Sequence, residues 1–412
     1  MRAALRSYLT ILATALIAMP VYAQSPLSLS TAGASLALSR GVEALYANPA
    51  HLGMSQPRWV QLRILGVGAG VHSNGLGLDD YRRYNGATLN DDDKSDILAQ
   101  VPDGGFSMWS EGSASALAIR AGSWGLAASG LGSARGNLDR DAIDLILHGN
   151  GDQPDWTFEN SAGDGLASWQ VALSHGRQIF SLNGGPVYAG VSAAYVRGLY
   201  LARADHVRAD LATLTTGLSG EASAEWTTST GGSGFGVDAG LAWQARPNLL
   251  ISFSGTHLYH AITWDSDVEH TRYEMVFDNV TIDNFEDSLW KSEQTTESIG
   301  SFSEGLPAHL RLGAGLTLGS TRYALEGSVS TANRFAASTI PALAGAIEHT
   351  LGRTLPLRLG VSVGGRSEFA VGCGAGLRLG GFAWDFGFRI DRALWIGNGS
   401  GLSAATAIDF AI

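Results

Sequence analysis

Cysteine is almost missing: Cys373 is the single one in 412 residues. No intramolecular disulfide can form, and no cluster of cysteines is there to hold zinc. The position of Cys373, far from the N-terminus, also excludes lipoprotein processing. Charge is scarce at 16% of residues, and basic groups are the minority, with 27 Lys and Arg against 38 Asp and Glu and a formal charge of −11. A chain of that sign is a poor partner for nucleic acid. Long apolar runs are lacking too, since none after Ala23 reaches the roughly 18 residues of a spanning helix. There is no Gly-x-Ser-x-Gly elbow, Walker loop or His-Glu-x-x-His, and the glycine-rich GVGAGVHS at 66–73 lacks the spacing of a dinucleotide-binding turn. The chain therefore reads as non-enzymatic, with no cofactor. A hydrolytic Ser, His and polar third partner gathered from separate strands would leave no sequence signature, so that arrangement is a question for the structure.

Glycine and aromatic residues are abundant instead, with 54 Gly, 11 Trp, 11 Tyr and 14 Phe. They fall in a period of two. In FAWDFGFRID, Phe382, Trp384, Phe386, Phe388 and Ile390 share one face, and Ala383, Asp385, Gly387, Arg389 and Asp391 the other. Likewise Leu357, Leu359, Val361 and Val363 oppose Arg358 and Ser362. A helix would smear such residues around its circumference. Alternation over segments of about ten residues marks membrane strands, which need only every second residue to be apolar. The terminal GLSAATAIDFAI ends the same way, with Phe410, Ile412, Ile408 and Thr406 opposite Asp409. Phe410 and Ile412 read as a C-terminal signal for the barrel-assembly machinery.

Arg2 and Arg6, the uncharged apolar stretch Leu9 to Met19, and the small-residue site Val21-Tyr22-Ala23 form a cleavable export leader. The expected location is the bacterial outer membrane, with its lipid as the first partner. Tight turns read at Gly122-Ser123, Asn183-Gly184-Gly185, Arg246-Pro247-Asn248, Gly319-Ser320, Gly352-Arg353 and Gly380-Gly381. Longer polar excursions lie near 73–104, 139–162, 203–232, 265–305 and 391–400, parts of which are candidates for strands extended above the membrane. The fold expected is all-β: a transmembrane antiparallel β-barrel of about 14 strands (12–16) with a short N-terminal helical plug. Residues 1–23 form the leader, 24–56 the plug and 57–412 the barrel.

The plug rests on SLSTAGASLALSRGVEALYANPAHLG, whose helical rhythm through Leu36, Arg40, Ala44 and Leu45 closes at Asn48-Pro49-Ala50. That tripeptide, placed after a leader and ahead of a barrel, resembles the N-terminal hatch of the FadL-type long-chain fatty acid transporters and their PorV-like relatives. ILHGNGDQPDWTF, GVDAGLAWQ and LPAHLRLGAGLTLG are similar to segments of uncharacterised barrels of that group. The resemblance implies a 14-stranded barrel that takes up a hydrophobic molecule, holds it in a pocket and releases it past the plug. Its greasy extracellular loops are not visible here, and the longest excursion is acidic.

From Asp265 to Glu304, eleven carboxylates face only Arg272 and Lys291, and DDDKSD occupies 91–96. These read as solvated loops or as cation sites, although DDDKSD lacks the glycine and terminal glutamate of a calcium loop. If the greasy faces point outward, Arg311, Arg322, Glu326, Glu348, Arg358, Arg378, Asp385 and Arg389 point into the lumen. They form either a salt-bridge network that stiffens the wall or a site for the carboxylate head of an amphipathic ligand. His257 and His260, three apart on a strand, fall on opposite faces and read as part of an interfacial girdle rather than a metal site. The functional expectation is a FadL-like channel for hydrophobic or amphipathic small molecules, with an apolar pocket above the plug and a gap or kink in one strand. The alternative is a PorV-like docking platform for secretion or surface-attachment machinery, whose partner would be a secreted protein. A plug in a narrow barrel argues against a general porin.

Overall fold

A computed structural model describes residues 25–56, 58–149, 155–215, 217–281 and 290–412. The leader, with Arg2 and Arg6, lies outside the described residues, as does Gln24. Alternating sequence becomes strand: β1 (Val60–Ser73), β2 (Phe106–Ala121), β3 (Trp124–Leu138), β4 (Asp155–Thr157), β5 (Ala162–Leu182) and β6 (Gly185–Leu214) come first. Next are β7 (Gly217–Ser229), β8 (Gly231–Arg246), β9 (Leu249–Ser266), β10 (Glu269–Val280), β11 (Trp290–Ser298) and β12 (Phe302–Glu304). The series ends with β13 (His309–Leu318), β14 (Thr321–Ser330), β15 (Ala342–Leu351), β16 (Leu355–Gly364), β17 (Phe369–Leu379), β18 (Phe382–Asp391) and β19 (Gly401–Ala411).

Fourteen strands (β1, β2, β3, β5, β6, β8, β9 and β13 to β19) make a closed antiparallel barrel. Closure is made by β19 on β1, paired from Gln61–Ala411 to His72–Gly401 with one bulge between Arg63 and Leu65. The wall therefore has no free edge, which removes the hazard of unpaired strand groups. β6 runs for 30 residues. Its first part pairs with β8, and its second part pairs with β7, which is followed by β10 and β11 as an extension beyond the wall. The described residues of the acidic stretch from 265 onward are thus largely strand, and DDDKSD starts a helix, Asp91–Ala99, capped by Asn90. Neither forms a metal-ligating group among the described residues.

All six expected tight turns fall at one end, where β1 begins and β19 ends. At Asn183 and Gly184, φ values of 49° and 81° are those that a two-residue hairpin with right-handed twist requires. Leu357, Leu359, Val361 and Val363 are exposed on the outside while Arg358 and Ser362 are buried inside, as the alternation requires. Near the turns Phe382 and Phe410 meet edge to face at 5.5 Å. Further up the wall, Trp169, Tyr195 and Phe235 form a second edge-to-face chain at 6.0 Å spacings. An apolar band bounded by aromatic belts fits a bilayer.

Leu359 sits outward in the middle of β16. Leu359→Arg is expected to cost about 2–4 kcal/mol in a bilayer, measured by unfolding from lipid vesicles. A stability loss close to zero would contradict the outward assignment.

Candidate functional site

The plug is a string of short turns inside the barrel rather than one helix. Pro26–Ser30 and Ala44–Ala47 are α-helical, and Leu36–Leu38, Gly41–Glu43 and Pro49–Gly53 are 3-10 turns. Each end of such a turn leaves backbone groups without an internal partner. In a lumen they must find partners on the wall.

Asn48-Pro49-Ala50 shows how. The Asn48 Oδ1 accepts from the Ala50 N–H at 2.9 Å and caps the Pro49–Gly53 turn, while proline at the first position has no N–H to satisfy. Its Nδ2 donates to the carbonyls of Leu241 on β8 and Phe253 on β9, at 3.1 and 3.0 Å. The Ser254 hydroxyl donates to the Ala47 carbonyl at 2.7 Å. Buried His51 lies between Ser39 Oγ and Ser252 Oγ, each 2.9 Å from a ring nitrogen.

Wall glycines make this approach feasible. A Cβ at Gly240 would stand 1.9 Å from Asn48 Oδ1, and one at Gly190 would stand 2.2 Å from the Pro49 carbonyl carbon. On the opposite wall, Gly360 and Gly372 admit Thr31 and Leu29 with equal closeness. As composition the glycine excess marks only a barrel, and its footprint beneath the plug has no signal in one chain.

The inward charges form the second attachment. Arg311 Nε lies 2.6 Å from Glu326, whose other oxygen accepts the Leu36 N–H at 2.7 Å, and Arg311 also donates to Ser35 Oγ at 2.8 Å. Arg322 bonds Glu348 at 2.8 Å and the Leu38 carbonyl at 3.1 Å. Arg358 bridges Glu348 and Asp385, both at 2.7 Å, and Arg378 meets Asp385 at 2.8 Å. Arg389 stands apart toward the loop end, 2.7 Å from Asp391. All eight predicted lumen charges thus face inward and are paired. The sequence reading missed the Arg63 link, in which one guanidinium holds Asp409 at 2.7 Å and plug Glu43 at 2.9 Å.

Between plug and loop end lies a cavity of about 350 Å³. The lining is mixed, with Trp109, Leu131 and Ile340 beside Glu111, Arg311 and Arg366, rather than the apolar pocket expected. Its outer side is covered by the connection 331–341. Arg135 holds the Asn333 carbonyl at 2.8 Å, Arg334 reaches Glu304 at 2.5 Å, and the Phe335 N–H donates to Asp164. Phe335 is 1% exposed in an apolar cluster with Val196, Leu201, Ile262 and Trp264.

Two arrangements differ from expectation. His257 adopts φ 53°, and the β8–β9 register slips between Val237/Tyr259 and Ala239/Gly255. This bulge brings the His257 and His260 rings to 5.0 Å. They are therefore neighbours at a wall irregularity, not girdle residues on opposite faces, because the extra residues break the period of two. Ser403 Oγ, His72 and Asp391 stand in series, at 3.2 Å to Nε2 and 2.7 Å from Nδ1. Ser403 is 2% exposed and, unlike His72, does not line the cavity.

The family of unknown function DUF5723 matches residues 49–387, from the plug tripeptide to β18. The chain belongs to the DUF5723 family. No curated protein matches it in sequence. Its fold is similar to a TodX ΔS2S3 variant, a monoaromatic hydrocarbon channel, at 13% identity and TM-score 0.57 over 96% of this chain and 100% of that one. The Ralstonia pickettii toluene transporter TbuX is similar at 14% identity and TM-score 0.51, again over 96% and 100%. A Pseudomonas aeruginosa FadL homologue aligns at 13% identity and TM-score 0.49, over 95% and 99%. The first two, named as a hydrocarbon channel and a toluene transporter, share the fold of this DUF5723 chain.

Two outcomes test the docking. Gly190→Ala is expected to weaken plug seating by about 1–3 kcal/mol through overpacking while the heat-resistant barrel band persists. Protease cleavage within the plug then rises, and unchanged cleavage would contradict the close contact. Burial, aided by Arg40, pushes the His51 imidazole down to about 3, against about 6.5 unfolded. Stability from burying it neutral is full above pH 6.5 and is lost as pH falls toward 3. Plug cleavage should therefore rise with acid in the parent and show a shallower pH dependence in His51→Gln.

Proposed function

We propose that the protein is an outer-membrane channel for hydrophobic or amphipathic small molecules, in which residues 24–56 act as the plug and residues 57–412 as the barrel. The observation that carries this reading is the cavity of about 350 Å³ held between the plug and the 331–341 connection. It lies inside a wall whose outer band is apolar. The volume is within the usual range for small-ligand pockets, roughly 300–1,000 Å³. The similar structures are named as hydrocarbon channels and toluene transporters, which supports the class of cargo. The charged part of the lining favours an amphipathic cargo over a bare hydrocarbon.

In this reading the turn end faces the periplasm and the loop end the exterior. The outward Phe410 and Ile412 meet lipid and serve as the handle for the barrel-assembly machinery after leader removal. A second reading, a docking platform for secretion or surface-attachment machinery and its secreted cargo, draws on the β7–β10–β11 extension. Among the described residues the pairing of β11 is with β10 alone, and such edges accept added strands.

Deleting Gln24 to Met54 while keeping the leader tests the channel directly. Entry of a hydrophobic dye into cells or vesicles is expected to rise several-fold, with the barrel still heat-resistant. An intact barrel with parental permeability would shift the reading to the docking platform.

A further inference from the structure

On the turn side of the plug, separate from the larger cavity, is a second cavity of about 120 Å³. Five guanidinium groups line it: Arg40 from the plug, Arg63 from β1, Arg322 from β14, Arg358 from β16 and Arg378 from β17. Four of these are neutralised. Arg63 holds Glu43 and Asp409, Arg322 and Arg358 share Glu348, and Arg358 and Arg378 share Asp385. Arg40 differs from the rest. It bonds only through Nη1, to the backbone carbonyls of Ala37 at 3.2 Å and Ser39 at 2.6 Å, and among the described residues it has no carboxylate partner. Five positive groups thus meet four negative ones, Glu43, Glu348, Asp385 and Asp409, which leaves one positive charge uncompensated.

A half-buried guanidinium without a counter-ion is costly where water is scarce. Burial, followed by the neighbouring Arg322, pushes the Arg40 group down to about 10, the direction expected of a cation in need of an anion. The missing group is a single negative charge with oxygen acceptors, because the guanidinium presents a planar fork matched to a carboxylate. Pro26, Leu27 and Leu38 supply the apolar remainder of the wall, as an alkyl tail attached to that carboxylate would require. We infer that this cavity is a monoanionic carboxylate site on the exit side of the plug, with Arg40 as its ligand. The carboxylate belongs either to a tail-bearing molecule leaving the plug or to a small free acid. The site goes beyond the proposed channel, and only the first source rests on that reading.

Calorimetric titration of the full-length mature barrel in detergent, with hexanoate, acetate and hexanol as probes, separates these cases. Hexanoate is expected to bind, at least tenfold more weakly in Arg40→Gln and with most affinity restored in Arg40→Lys. Hexanol lacks this Arg40-dependent component. Glu43→Gln raises the local positive excess and is expected to tighten hexanoate several-fold, a check that survives even if Arg40→Gln fails to assemble. Hexanoate tighter than acetate assigns the site to a tail-bearing ligand, and equal affinities assign it to small acids. Hexanoate binding that ignores both substitutions, or that hexanol reproduces, overturns the site. Arg40-dependent binding by a barrel that conducts nothing would refute the channel and leave the site standing.

Discussion

A wall of fourteen strands encloses a lumen too wide for its own inward side chains to fill, unlike barrels of about eight strands. Whatever fills it must satisfy its backbone polar groups away from bulk water. The rest of the molecule depends on that constraint. Bare glycine surface on the wall lets the Asn48-Pro49 and Leu29–Thr31 backbones lie flush against it. Inward carboxylates and arginines then take up plug groups that the short turns leave open, as Glu326 does for the Leu36 N–H.

The charge network is better understood as an attachment than as a store of stability. Buried ion pairs gain little over apolar packing, yet removing one partner is expensive because a charge is stranded. Alternation along Arg322, Glu348, Arg358, Asp385 and Arg378 makes each group depend on the next. Such a chain fixes where the plug sits. The plug thus has a cavity on each side, one mixed in lining and covered by the 331–341 connection, the other rich in arginine.

Much of this was legible in the sequence because strands repeat every two residues. The inward set from Arg311 to Arg389 and the outward set from Leu357 to Phe386 followed from parity alone, and the tight turns from Gly and Asn. Where parity is broken, reading failed: the bulge at His257 reversed the expected relation to His260. Pairings that join distant segments, such as Arg63 with Asp409 or Asp164 with Phe335, were not visible because neither partner carries a local pattern. The 30-residue β6 was legible as a strand followed by a polar excursion that was a candidate for extended strand, but nothing in the period marks where a strand leaves the membrane. The glycine footprint had the same difficulty, as glycine in a strand looks alike whether it faces lipid or a plug.

The plug is a docked part of the folded barrel rather than a loose tail within it. Hydrogen exchange of the barrel in lipid tests this at the Leu36 and Ala50 amides, which bond to Glu326 and Asn48. Protection comparable to that of the β8 and β13 amides is expected. Exchange within seconds at both, in a barrel whose wall amides stay protected, would contradict it.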